Sequence, residues 1–138
     1  VRMGMREIKF RGKKIDGDWY YGDLITETRE FNRTCDKAYI LPYWETLNGP
    51  IFVDKESVGQ YTGLKDKNVR EIYEGDITID GYGTVTVIEN DGFQWLERIV
   101  RLRDRHISKE ILIMTKANAF RCEVIGNIYE NLELLEGE

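Results

Sequence analysis

Residues 76–95 read DITIDGYGTVTVIENDGFQW, and this stretch decides the predicted fold. Apolar side chains recur at every second position on both sides of the glycine-containing turn at residues 80–83, which is the period of a half-buried β-strand. A second turn signature follows at residues 89–92. Two turns at this spacing predict an antiparallel meander that forms the core of a small β-barrel.

The chain before the meander predicts a β-hairpin extension. Residues 7–11 and 19–25 are strand candidates, and the Asp16-Gly17 pair between them is a strong hairpin signal because glycine tolerates a positive φ. Residues 54–59 are predicted to form one short helical turn, which the Asp54 carboxylate can cap.

The chain after the meander is less regular. Residues 96–110 suit a helix face or a strand, and a local alternation favours the strand. Further strands are predicted at residues 111–114 and 122–129, with helical turns at 117–119 and after Asn131. The whole pattern predicts a mainly β fold with short helical turns.

Composition limits the class of protein. The chain has 138 residues, of which 41% are hydrophobic and 33% charged, and its formal net charge is −5. Such a chain can bury a core as one domain without disulfides or metals. The run of apolar residues at 111–114 is far shorter than the roughly 20 residues of a transmembrane helix. The net acidity opposes non-specific binding to nucleic-acid phosphates.

The charge is nevertheless unevenly distributed. Residues 1–15 carry six basic side chains against Glu7 alone, and residues 97–110 carry five basic against three acidic ones. These stretches can be attracted to the acidic body of the chain, or they can contact a nucleic acid. The candidate nucleic-acid contacts are Arg11, Lys13, Lys14, Arg101, Arg103 and Arg105.

The residues that usually carry catalysis are few. His106 is the single histidine and lies in a basic stretch, no histidine or cysteine pair has zinc-site spacing, and no phosphate-binding glycine loop is present. Cys35 and Cys122 are interpreted as ordinary reduced thiols. One acidic cluster is interpreted as turn-forming rather than cation-binding: Glu71, Glu74, Asp76 and Asp80. We therefore predict no catalytic residue, no metal and no cofactor.

Aromatic side chains are the remaining candidates for recognition, at 12% of the chain. Most are expected to fill the core, and Phe93 and Trp95 are predicted to share one strand face. Exposed aromatics on a small barrel can line a groove for a peptide or stack on bases. The candidate protein-binding residues are Trp44, Tyr43 and Tyr20.

Several blocks of sequence resemble the YopX-like family of bacteriophage and prophage proteins. Residues 6–13 read REIKFRGK and residues 19–24 read WYYGDL, which is similar to the opening of that family. Residues 58–66, VGQYTGLKD, and 72–77, IYEGDI, resemble its central signature. Residues 124–131, VIGNIYEN, resemble its ending.

The resemblance implies a phage or prophage protein with an SH3-type β-barrel or roll. It implies a single YopX-like domain over residues 1–138, which can be divided into an N-terminal β subdomain at 5–65 and a C-terminal SH3-like barrel at 66–135. Leu132 stands where the family more often has proline. The family is functionally uncharacterised, so the resemblance supplies no catalytic residues.

The predicted function is that of a non-catalytic accessory protein in the host bacterial cytoplasm, where it binds a host or phage protein. The alternative is a nucleic-acid-binding protein, and a third hypothesis is a small enzyme built on Glu74, Asp76 and His106. Homo-oligomers are compatible with a strand-rich chain, and no contact with a membrane is expected.

Overall fold

The computed structural model describes residues 7–28, 35–43, 49–101 and 111–136. Its contacts divide the chain into two compact units, residues 1–61 and 62–138. Strands dominate both units, which confirms the predicted mainly β fold. The finer prediction of an SH3-type barrel stays a prediction. No helix in the described ranges is both long and apolar enough to cross a membrane.

The N-terminal unit contains an antiparallel sheet that closes on itself. The order is β1-β2-β3-β4, and β1 pairs with β4 as well as with β2. The first hairpin matches the prediction, since Arg11 lies opposite Tyr21. Its buried core consists of Ala38, Ile40 and Val53. The strands are β1 (Phe10–Lys13), β2 (Trp19–Thr28), β3 (Cys35–Pro42) and β4 (Ile51–Lys65), of which β4 runs past the boundary between the units.

The helical turn predicted at residues 54–59 is wrong, because this segment lies within β4. The Asp54 carboxylate does accept a hydrogen bond from the Glu56 amide at 3.1 Å, as a cap would. The β1–β4 register shifts between Arg11 and Lys13, and the Lys13 amide donates to Ser57 Oγ at 2.8 Å. The local side-chain bond therefore supports a bulged strand instead of a helix.

The C-terminal unit contains the predicted meander. Its sheet has the order β10-β6-β7-β8-β9, with all pairs antiparallel. Residues 95–101 form a strand. In the described part of the segment 96–110, the strand interpretation is therefore confirmed over the helical one. The elements are β5 (Glu71–Tyr73), β6 (Asp76–Asp80), β7 (Val85–Asn90), β8 (Trp95–Arg101), β9 (Ile111–Ile113), α1 (Lys116–Phe120), β10 (Cys122–Asn127) and a 3-10 turn (Leu132–Leu135).

Phe93 and Trp95 do not share an environment. Phe93 belongs to the turn before β8 and is 97% exposed, whereas Trp95 begins the strand and is 8% exposed. The turn at Asp91 explains the difference, because its carboxylate accepts the amides of Phe93 and Gln94 and holds the chain out of the sheet there. The predicted shared face is therefore wrong.

Two clusters of buried side chains form the core of the C-terminal unit. One includes Ile72, Ile88 and Trp95, and the other contains Ile77, Val85 and Val87. A buried carboxylate holds the loop before β5 against β10, since Asp66 accepts amide hydrogen bonds from Asn68, Arg70 and Val124.

Candidate functional site

The predicted protein-binding aromatics lie in the N-terminal unit, and the structure describes two of them. Tyr20 is half-buried and packs against the Ala38–Ile40–Val53 core. Tyr43 is 41% exposed, and its hydroxyl donates to the Ile8 carbonyl at 3.0 Å. Trp44 lies outside the described residues. Both described rings thus contact their own unit, and their proposed role in partner binding stays a prediction.

The predicted basic residues differ in exposure. Arg11 is 6% exposed, and its guanidinium lies 4.9 Å from the centre of the Trp19 ring. This burial argues against a phosphate contact through Arg11. Lys14 is exposed, whereas Lys13 and Arg101 are half-buried. Arg103 and Arg105 lie outside the described residues.

The acidic residues singled out in the sequence have structural contacts. Asp76 is buried and accepts the Tyr73 amide at 2.8 Å. Asp80 accepts the amides of Tyr82 and Thr84, as expected of a turn-forming carboxylate. No group of three or more metal-ligating side chains is found in the described ranges. His106, the remaining catalytic suspect, lies outside them.

A cavity of about 520 Å³ opens in the C-terminal unit. Three strands of the meander line one side. The rest of the lining comes from α1, β9, the start of β10, the turn after β6 and the loop before β5. We call this cavity the Glu97 pocket. Its lining residues are Lys67, Thr78, Asp80, Gly81, Tyr82, Thr84, Thr86, Glu97, Leu112, Asn118, Phe120, Arg121 and Cys122.

The strand period explains how the pocket acquires its polar wall. Successive residues point to opposite faces of a strand, so Thr84 and Thr86 face the pocket while Val85 and Val87 face the core. Thr78 on β6 lies directly opposite Thr86. Their hydroxyls are 2.6 Å apart and share a hydrogen bond.

Glu97 is the most unusual side chain in this wall. It is only 5% exposed, and no described residue forms a hydrogen bond or ion pair with its carboxylate. Burial, and then the nearby charge of Asp80, raise the pKa of Glu97 to about 7. The Glu97 carboxyl therefore gains and loses its proton near neutral pH, whereas an ordinary glutamate is ionised there.

Two further groups in the wall define what the pocket can do. The Thr84 hydroxyl oxygen is buried and has no hydrogen-bond partner in the described part of the chain. Burial, and then the charge of Glu97, raise the pKa of Cys122 to about 12. Its thiol donates to the Ala119 carbonyl at 3.2 Å. A thiol that stays protonated is a poor nucleophile.

The rim of the pocket carries aromatic and basic side chains. Tyr82 is 73% exposed and Phe120 is 54% exposed. Lys67 lies 3.7 Å from the Glu123 carboxylate, and Arg121 is exposed. The pocket thus combines an acidic, hydroxyl-lined interior with an aromatic and basic rim.

The motif blocks and the fold together point to one family. A family model described as "YopX protein" matches residues 9–136. The chain belongs to the YopX family. The resemblance inferred from the motif blocks is therefore confirmed over nearly the whole chain.

Solved structures support the same fold for this YopX-family chain. It is similar to the crystal structure of protein EF1440 from Enterococcus faecalis, with a TM-score of 0.57 and 21% sequence identity. The match covers 95% of this chain and 99% of the other. At this identity the likeness shows the fold alone. No curated protein matches the chain.

No sequence motif indicates the Glu97 pocket. Thr84 and Thr86 alternate with valines in a way that is typical of a strand with one solvent-facing side. Glu97 lies in the segment whose secondary structure was ambiguous. The sequence does place threonines at 78, 84 and 86, and threonine suits a half-buried strand surface.

Proposed function

We propose that this YopX-family chain is a non-catalytic binding module of phage or prophage origin. It acts in the host bacterial cytoplasm and binds an extended segment of a host or phage protein at the Glu97 pocket. The observation that carries the proposal is a buried carboxylate that lines an open cavity and has no protein partner in the described residues.

The energetics of burial support a ligand at this site. Removing a charged or hydrogen-bonding group from water is unfavourable unless a partner compensates it, and buried polar atoms in native proteins almost always have one. On one pocket wall the buried Thr84 hydroxyl departs from that rule, and Glu97 beside it is 5% exposed with no hydrogen bond or ion pair to a described residue. A bound segment that donates hydrogen bonds would compensate both groups at once.

Strand β9 supports an extended partner. It ends the sheet in the order β10-β6-β7-β8-β9, so in the described residues it pairs only with β8. Leu112 lines the pocket, while Ile111 and Ile113 beside it are 51% and 57% exposed. An edge strand next to a pocket suits β-strand addition, in which the backbone gives affinity and a pocket reads one side chain.

The other two functions find less support among the described residues. The Cys122 thiol remains protonated at neutral pH because of its raised pKa, which disfavours it as a nucleophile. Arg11 is buried, and the Arg98 guanidinium is engaged with Glu89 at 2.6 Å. Two cations of the basic stretches are therefore engaged within the chain, whereas nucleic-acid binding requires cations that can neutralise phosphates.

A random-peptide display library provides the test. The full chain is the bait, and selected peptides are measured by fluorescence anisotropy against the wild type and the Glu97→Lys variant. Glu89→Lys is the matched control, because Glu89 is a half-exposed carboxylate on the same sheet but outside the pocket. We expect a peptide family that binds the wild type and the control and loses at least about tenfold in affinity on Glu97→Lys.

Circular dichroism and thermal unfolding of Glu97→Lys establish that the variant is folded. Peptides that bind folded Glu97→Lys as tightly as the wild type would contradict the proposed site. Failure to select any peptide, together with salt-sensitive retention on DNA or RNA, would replace the proposal with nucleic-acid binding.

A further inference from the structure

We propose that the Glu97 pocket selects an arginine side chain of the bound segment. The inference rests on the proposed function, and it names the group that the pocket reads. The juxtaposition behind it is a buried carboxylate, an unpartnered hydroxyl and a second carboxylate in one cavity, under exposed aromatic rings.

The interior of the pocket offers hydrogen-bond acceptors. The Glu97 carboxylate has free lone pairs, since no described residue donates to it. The buried Thr84 oxygen is equally unengaged. One hydrogen bond joins the Thr78 and Thr86 hydroxyls, and because each hydroxyl oxygen has two lone pairs, acceptor capacity remains there too. A guanidinium carries five N–H donors and no acceptor, which complements such a wall.

The dimensions and the rim suit an arginine stem. A cavity of about 520 Å³ lies within the usual range for small-ligand sites. Long basic side chains place their methylene groups on apolar surface and their charge on polar groups. Phe120 and Tyr82 offer that surface, and their ring faces attract a cation.

The charges that face Glu97 have opposing effects. Asp80 on β6 adds a second negative charge and favours a cation. Lys67 and Arg121 oppose it from the rim, although Glu123 partly offsets Lys67. Cys122 on β10 is uncharged at neutral pH because of its raised pKa, and Tyr82, Leu112 and Asn118 complete the neutral lining.

This charge balance gives arginine binding a defined dependence on pH. A guanidinium stabilises the ionised form of Glu97, so binding near neutral pH is accompanied by release of a proton. Affinity should rise as pH increases through about 7, the pKa of Glu97 in the unliganded chain. Below that pH it should fall by about tenfold per unit. A ligand that accepts a hydrogen bond from protonated Glu97 would show the opposite trend.

The test uses Nα-acetyl-arginine methylamide as the probe, with the citrulline counterpart as its neutral analogue of the same shape. Amide chemical shifts of the 15N-labelled full chain are followed during titration at pH 6, 7 and 8. We expect the arginine probe to move the resonances of Thr84, Thr86 and Glu97 and to bind at least about tenfold more tightly than the citrulline probe.

Two variants separate the pocket from general charge. Glu97→Gln keeps the shape of the side chain, and it should lower the affinity for the arginine probe by about tenfold or more and abolish its pH dependence. Glu89→Gln removes one charge elsewhere on the sheet and should leave the affinity within about twofold. Thr84→Val offers a second pocket variant with an almost unchanged volume, and it should weaken binding by roughly fivefold.

The outcomes distinguish this inference from the proposed function. Equal binding of the two probes, or unchanged affinity in Glu97→Gln, would overturn the arginine inference. If display nevertheless selects peptides without basic residues that depend on Glu97, the proposed function stands and only the inference fails. If the arginine probe binds through Glu97 but no peptide does, arginine recognition stands and protein binding fails.

Discussion

Two buried polar sites, one in each unit, differ in how their side chains are partnered. In the N-terminal unit, the buried Ser57 hydroxyl accepts a hydrogen bond from the Lys13 amide and donates one to the Asp54 carbonyl. In the C-terminal unit, Glu97 and Thr84 are buried without a partner in the described residues. Unsatisfied buried groups are unfavourable for folding, and the Thr84 hydroxyl on the pocket wall is one of them. This difference supports the proposed ligand site in the C-terminal unit.

Asp66→Ala should have the largest effect, because it breaks a satisfied buried carboxylate in the same unit. Asp66 is 1% exposed and accepts three backbone amides, including that of buried Val124. Losing these bonds should lower the free energy of unfolding by about 3–5 kcal/mol, measured by urea unfolding.

Asp91→Ala is the matched control for Asp66→Ala. Asp91 also accepts two backbone amides, but it lies in an exposed turn where water can replace it. Its effect on the free energy of unfolding should be much smaller. Equal effects of the two variants would contradict the distinction between buried structural carboxylates and exposed ones.

Gly22→Ala tests the N-terminal unit at a backbone contact. An added Cβ would overlap the carbonyl oxygen of Leu41 on the paired strand β3. The strands would have to separate, so we expect a loss of about 2–4 kcal/mol in the free energy of unfolding. Gly81→Ala in the C-terminal unit meets no atom within 4 Å and should be tolerated. A harmless Gly22→Ala would contradict the β2–β3 pairing.

Glu97→Gln should change how stability depends on pH. The folded pKa of Glu97 is about 7, whereas the ordinary value is 4.5. The folded chain therefore holds this proton more tightly, and the contribution of Glu97 to stability is present below pH 4.5 and lost as pH rises to 7. Glu97→Gln should match the wild type near pH 4.5 and exceed its free energy of unfolding by up to about 3 kcal/mol at pH 8.

Thermal unfolding at pH 4.5, 6 and 8 provides the measurement for Glu97→Gln. Glu89→Gln should show no such divergence, since Glu89 is ion-paired at the surface. A Glu97→Gln variant that is less stable than the wild type at pH 8 would show that the carboxylate has a stabilising partner.

Thr84→Val and Thr78→Val should have the smallest effects, and these should have opposite signs. Thr84→Val removes a hydroxyl that has no partner, so it should raise the free energy of unfolding by up to about 1 kcal/mol. Thr78→Val leaves the buried Thr86 hydroxyl without its partner and should lower it by about 1 kcal/mol. Chemical unfolding measures both, and a destabilised Thr84→Val would assign the Thr84 hydroxyl a structural bond.

Much of the fold could be predicted from the alternation of apolar residues and from the residues in the turns. The alternation in residues 76–95 and its two turns specify the meander, and Gly83 and Gly92 adopt the positive φ that such turns favour. The helical turn predicted at Asp54 was wrong because the local signal is ambiguous. A carboxylate that accepts the amide two residues ahead occurs both in helix caps and in bulged strands.

The Glu97 pocket was less predictable because it depends on how the strands pair and on which elements pack over the sheet. Glu97 shares the pocket with Thr86 and Thr78 only through the registers of β6, β7 and β8, and the β7–β8 register shifts at Val85. Residues of α1 and β9 line the same pocket. A polar residue on a strand usually faces solvent, so sequence alone gave no reason to single it out. Tyr43 and Arg11 both contact other residues of the N-terminal unit, and their predicted roles stay predictions.

The most direct test is an NMR titration of the Glu97 side-chain carboxyl in the full chain, with and without saturating Nα-acetyl-arginine methylamide. Without the probe the pKa should lie near 7, and with it the pKa should fall by at least about one unit because a cation stabilises the carboxylate. An ordinary pKa in the free chain, or a raised pKa that the probe leaves unchanged, would contradict a buried carboxylate kept for a cationic ligand.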